Sequence, residues 1–144
     1  MKYLLILLGL AVVIAPLVSA MPSRSQRARA ALRDQARAYK LRVSVRPVPE
    51  VPARFRFSCD RELVCYSYLF AKSSAAHHGE QLFVRVSDGW AVTQGLEEPP
   101  LWLTKLPDGV PLVTLSDHAI SFFWDESEGE DGLRQIADTT AFPA

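Results

Sequence analysis

The sequence predicts an α+β protein in which an N-terminal transmembrane helix and a basic juxtamembrane helix precede a small antiparallel sheet, with a C-terminal helix packed on it. Three observations carry this. An uncharged stretch from Tyr3 to Ser23 runs directly into a cation-rich run from Arg24 to Lys40. From Leu41 the hydrophobic period changes from helical to alternating. After Ser127 it returns to helical spacing. The implied organisation is an anchor over residues 1–22, a basic helix over 23–40 and a soluble α+β domain over 41–144. Of 144 residues, the roughly 100 outside the anchor suffice for one domain with a modest core.

The anchor follows from length. Tyr3 to Met21 is dominated by Leu, Val, Ile and Ala, and a helix of that length rises roughly 28 Å against a hydrocarbon core of about 30 Å. Pro16 is tolerated in a membrane helix when local adjustments re-satisfy the freed carbonyl. The rival reading is a cleaved signal peptide, with Lys2 as a short positive region and Val18-Ser19-Ala20 as a small-residue cleavage pattern. Charge favours the anchor. Arg24, Arg27, Arg29, Arg33, Arg37 and Lys40 follow the apolar run, opposed before it by Lys2 and the α-amino group, and cations near a span stay cytoplasmic. The expectation is an uncleaved single-pass anchor with its C-terminal domain inside.

The zero net charge hides an asymmetry. Residues 1–56 carry 11 Lys/Arg against 2 Asp/Glu, whereas residues 88–144 carry 2 against 11. The basic end suits anionic lipid head groups, which attract each nearby cation by about 1 kcal/mol; the acidic end suits water or a basic partner. Within residues 23–41, Ala28, Leu32, Ala36 and Tyr39 form a thin apolar stripe between arginines. That pattern fits a lipid- or partner-binding helix, but topology-fixing charges alone account for the arginines. Nucleic acid is not expected as a partner, because no basic and aromatic face continues beyond the helix.

Leu41, Val43 and Val45 alternate with Arg42, Ser44 and Arg46 as a half-buried strand does, up to the stiff segment Pro47 to Pro52. Ala53, Phe55 and Phe57 predict a second strand, and Val64, Tyr66, Tyr68 and Phe70 a third. Leu82–Ser87 and Trp90–Thr93 flank Asp88-Gly89, a type I′ hairpin signature. Pro99 to Leu106 reads as a short proline-started helix. A further hairpin joins Pro111–Leu115 to Ala119–Trp124 through Ser116-Asp117-His118. Ser127-x-x-Glu130 predicts a capping box opening the last helix, with Leu133, Ile136 and Ala137 on its buried face.

The sequence names no catalytic, cofactor-binding or metal residue, and the chain is not expected to be an enzyme. Cys59 and Cys65 are spaced too widely for a zinc knuckle and have no second pair; in a cytoplasmic domain they are thiols, in an exported one a possible bridge. His77-His78 and His118 have nothing fixing a ligand geometry. Ser116, Asp117 and His118 are consecutive, which precludes the linear relay of a triad. Phosphate loops and dinucleotide fingerprints are absent. The acidic run Asp125 to Asp131 fits a helix start, and Trp90, Trp102 and Trp124 fit the core of a small domain.

The order of an N-terminal span, Pro22-Ser23-Arg24-x-Gln26-Arg27, Leu32-Arg33, Ala36-Arg37, a central Trp90, Leu106-Pro107 and Trp124-Asp125-Glu126 before a terminal helix resembles an uncharacterised family of proteobacterial single-pass membrane proteins. Its members are sometimes labelled YajC-like preprotein translocase subunits. The resemblance implies one span, an inside C-terminus and a small β-rich domain accessory to the Sec translocase. The glycine-rich segment of YajC has no counterpart here. The expected function is therefore that of a single-pass bacterial inner-membrane protein with a non-catalytic cytoplasmic protein-interaction domain. The alternatives are a Sec accessory subunit and an exported domain released by cleavage.

Overall fold

The computed structural model describes residues 1–59, 62–71, 79–93 and 98–142. Helix α1 spans Lys2–Ser19 and contains Pro16. It is the one helix among the described residues long and apolar enough to cross a membrane, a test that a signal sequence near the N-terminus passes equally. Helix α2 spans Arg24–Ala38. The division into compact units falls inside α2, with Met1–Ala30 in one unit and Ala31–Ala144 in the other.

The second unit is built on a six-stranded, wholly antiparallel sheet: β1 (Leu41–Ser44), β2 (Val64–Leu69), β3 (Gln81–Val86), β4 (Gly89–Val92), β5 (Leu112–Leu115) and β6 (Ala119–Trp124), in the order β1-β2-β6-β5-β3-β4. Helix α3 (Gly129–Thr139) closes the described chain. The α+β arrangement is as the sequence predicts.

Alternation along each strand gives the sheet two apolar faces, and they are covered differently. One presents Leu41, Val64, Tyr66, Phe83, Val113, Ile120, Phe122 and Trp124 to Leu32 and Ala36 of α2, Leu103 and Leu106, and Leu133 and Ile136 of α3. The other presents Cys65, Val84, Leu112 and Phe123, against which Val51, Phe57 and Cys59 pack. On that second face Ser67 and Ser121, opposite each other in register, share a 3.0 Å hydroxyl contact. Trp124 is fully buried, and Trp90 and Trp102 pack half-buried on the first core. All three tryptophans thus serve packing, as expected.

Three local expectations change. The strand predicted at Ala53–Phe57 is a 3₁₀ turn over Ala53–Phe55, ended by Arg56 at φ 48°. Arg54 holds it there, its guanidinium lying 4.8 Å from the Phe55 ring and donating to the Thr93 carbonyl. These side-chain contacts outweigh the alternating pattern. In the β3–β4 hairpin, Val86 pairs with Gly89, so the turn residues are Ser87-Asp88, one position earlier than predicted. Only Gly89, at φ 129°, adopts the left-handed side, in place of the two such residues that a type I′ turn needs. The segment after Pro99-Pro100 does form a short helix, a 3₁₀ turn over Leu101–Lys105.

The third change is at α3, where Ser127-x-x-Glu130 does not cap. The helix begins at Gly129 with Glu128 at the N-cap and no side-chain cap bond. Each side chain is occupied elsewhere: Glu128 accepts from Trp124 Nε1 (2.8 Å) and the Gly109 amide (2.6 Å), and Glu130 accepts from Gln35 Nε2 of α2 (2.8 Å). The carboxylate approaches Gly109 closely: a Cβ there would lie 2.6 Å from Glu128 Oε2, so a larger residue would displace the Glu128 side chain. The capping box forms instead at Ser23-x-x-Gln26, where Gln26 Oε1 accepts from the Ser23 amide (2.9 Å) and Ser23 Oγ from the Gln26 amide (3.2 Å).

Candidate interaction site on the basic helix and the first strand

The six cations singled out in the sequence fall into two groups along α2 and the turn that follows it. Arg24, Arg27 and Arg29 are exposed in its first half, before the unit boundary at Ala31. Arg33, Arg37 and Lys40 belong to the folded domain. What divides them is the stripe. Leu32 and Ala36 are buried in the sheet's first core, which fixes the rotation of the second half of α2.

That rotation brings Arg33 over Glu126. Glu126 Oε1 accepts from Arg33 Nε at 2.7 Å and Oε2 from Arg33 NH2 at 2.9 Å, a bidentate pair in which the carboxylate side chain is 2% exposed and the arginine 39%. Oε1 also accepts from the Tyr66 hydroxyl at 2.7 Å. Tyr66 stands on β2 with its ring edge-on to Trp124, centroids 5.2 Å apart. Burial and, next, the bond to Glu126 push the Tyr66 phenol well above its ordinary range. The same Glu126 bond, opposed by partial burial, raises the Arg33 guanidinium. Both groups are therefore held in the forms they take at neutral pH, Tyr66 protonated and Arg33 charged. Glu126 itself sits at φ 61°, a left-handed conformation at a non-glycine residue.

Sequence reasoning assigned Arg33 to the topology-determining set and Glu126 to the acidic cluster of a helix start. The structure gives both a further role, because their pair ties α2 to the sheet. No spacing rule links positions 93 residues apart. The available signal was indirect: an apolar stripe with Leu32 at its centre places Arg33 beside the core.

Arg37 and Lys40 border a different feature. Arg37 is 82% exposed and reaches Asp34 at only 3.5 Å, an exposed pair of little energetic weight. Lys40, at φ 60°, ends the helix in the left-handed conformation and turns the chain straight into β1. β1 is an edge strand. Its Arg42 is exposed, and Val45, immediately beyond it, is 80% exposed. Between the α2 side and this edge runs an open groove of about 520 Å³ lined by Arg33, Arg37, Arg42, Val43, Ser44 and Val45 among others. Apart from β2, no strand among the described residues pairs with β1.

The other candidates resolve simply. Ser116 closes the β5–β6 turn, its hydroxyl donating to the Ala119 carbonyl and accepting from the Ala119 amide. His118 is exposed, and its carbonyl accepts from Phe70 N. Cys65 is a buried free thiol and Cys59 is half-buried against the same core. His77-His78 lies outside the described residues. Among the described residues no cluster of three or more His, Cys, Asp or Glu side chains forms a metal cage. No protein family, curated protein or solved structure matches the chain significantly.

Proposed function

We propose that the chain is a single-pass bacterial inner-membrane protein whose cytoplasmic α+β domain binds another protein and performs no catalysis. One observation carries the reading: the helix that brings five of the six cations after the apolar segment also contributes, through Leu32, Arg33 and Ala36 in its second half, to the domain's own fold. In this reading Arg24, Arg27 and Arg29 hold the membrane surface by attraction to anionic head groups, while the later part of the helix docks the domain. The cation bias beyond the apolar run supports an inside C-terminus. The YajC-like resemblance makes the Sec translocase the first assembly to examine.

Two C-terminal fusions of the full-length chain test this, one to alkaline phosphatase and one to green fluorescent protein. Fluorescence without phosphatase activity is expected. Phosphatase activity without fluorescence, or a mature mass beginning at Met21, would replace the proposal with an exported domain.

A further inference from the structure

We propose that the β1 edge and the groove beside it bind an acidic extended peptide of a partner protein by strand addition. This rests on the protein-interaction reading above and names the surface and the chemistry of its occupant. In an antiparallel ladder the residues of a strand alternate in facing their neighbour. Two of the four residues of β1 therefore turn their N–H and C=O groups away from β2, with no other described strand to receive them. Val45 prolongs the edge in the same alternation and is 80% exposed. An incoming strand satisfies these groups directly.

The side chains select the occupant. On the α2 side an added strand meets Arg37 and the apolar surface of Val43 and Val45; its opposite face meets Arg42. Arg33 in the same groove is already neutralised by Glu126, which leaves Arg37 and Arg42 as the cations that read the ligand. A segment alternating Asp or Glu with small apolar residues turns its carboxylates to Arg42 and its apolar side chains to Val43 and Val45, while Arg37 at the groove adds longer-range attraction. A second copy pairing through the same edge does not, because antiparallel β1–β1 contact brings like charges together. The arginines thus act as a filter: they discourage self-association at the edge and attract acidic strands.

The test uses the full-length chain in nanodiscs of phosphatidylcholine and the fluorescein-labelled peptide Glu-Val-Glu-Val-Glu-Val-Glu. Saturable binding is expected. It should weaken at least about tenfold in the Arg37→Glu/Arg42→Glu variant but change by less than about threefold in Arg24→Glu/Arg27→Glu, which alters net charge equally outside the groove. N-methylating the fourth and fifth peptide residues removes a donor from each edge of the peptide and should cost a similar factor. Equal binding of the methylated peptide would mean charge attraction without strand pairing and would overturn the proposal. So would absence of peptide binding, or equal effects of the two double variants. The fusion experiment reads topology independently, so loss of peptide binding with an inside C-terminus would sink the strand edge and leave the anchored-domain reading standing.

Discussion

Arg33 Nε lies 2.7 Å from Glu126 Oε1, and the two residues are 93 positions apart. The first belongs to a helix whose cations look topological, the second to the loop between β6 and α3. Their pair, closed by Tyr66, makes the second half of the basic helix, from Ala31 onward, an integral part of the domain.

Removing one partner leaves the other charge in a poorly solvated place. Arg33→Ala should therefore destabilise the domain by about 3 kcal/mol, the lower end of the range for buried pairs because Arg33 retains partial solvent contact. Arg33→Lys keeps the charge but loses the bidentate fork and should fall between. Chemical denaturation of the full chain in detergent measures both; an effect under about 0.5 kcal/mol for Arg33→Ala would class the pair with ordinary surface bridges.

Tyr66 gives the pH dependence. An unfolded phenol ionises near about 10, and the folded value lies above that. The folded state thus binds the phenol proton more tightly. The associated stability is complete below about pH 10 and is lost as pH rises through the folded value. Following the Tyr66 Cζ chemical shift, no titration is expected until the chain unfolds in alkali; a midpoint at the ordinary value would contradict the burial argument. Tyr66→Phe should cost about 2 kcal/mol at neutral pH, the worth of a hydrogen bond to a charged acceptor.

Gly132 in α3 provides a test of sign. Helix propensity alone favours alanine over glycine by about 1 kcal/mol. Here a Cβ would sit 2.7 Å from the Trp124 ring, which is fully buried and unable to retreat. Overpacking costs typically about 1–3 kcal/mol, so Gly132→Ala should lower the melting temperature. A rise would show that α3 can shift away from Trp124.

At Lys40 the opposite change should help. Its left-handed φ costs an L-residue roughly 1–2 kcal/mol that glycine avoids. Lys40→Gly should raise stability by about 1 kcal/mol, offset slightly by greater unfolded-state freedom. Unchanged or reduced stability in thermal melts would mean that the lysine side chain contributes where it stands.

The apolar helix, the basic helix, β1, β2, both hairpins and the terminal helix were legible because each rests on local periodicity or on turn residues. Failures occurred where a distant group competed for a local one. Ser127-x-x-Glu130 has the same capping grammar as Ser23-x-x-Gln26, yet Gln35 claims Glu130, and Trp124 with Gly109 claims Glu128. Ala53–Phe57 alternates like a strand, yet the Arg54 contacts with Thr93 and Phe55 hold a turn. The candidate site was half legible: Arg37 stood out as charge, whereas the groove depends on β1 taking the sheet edge, a matter of strand order that periodicity does not encode.

The edge position of β1 also has a mechanical consequence. A tension entering the domain from its N-terminal side travels along α2 and would next reach a four-residue strand held by one neighbour, an arrangement easily peeled. Leu32, Ala36 and the Arg33–Glu126 clamp lie upstream of it and take the load first. Under such a pull the clamp would act as strain relief, like the grip on a cable where it enters its housing.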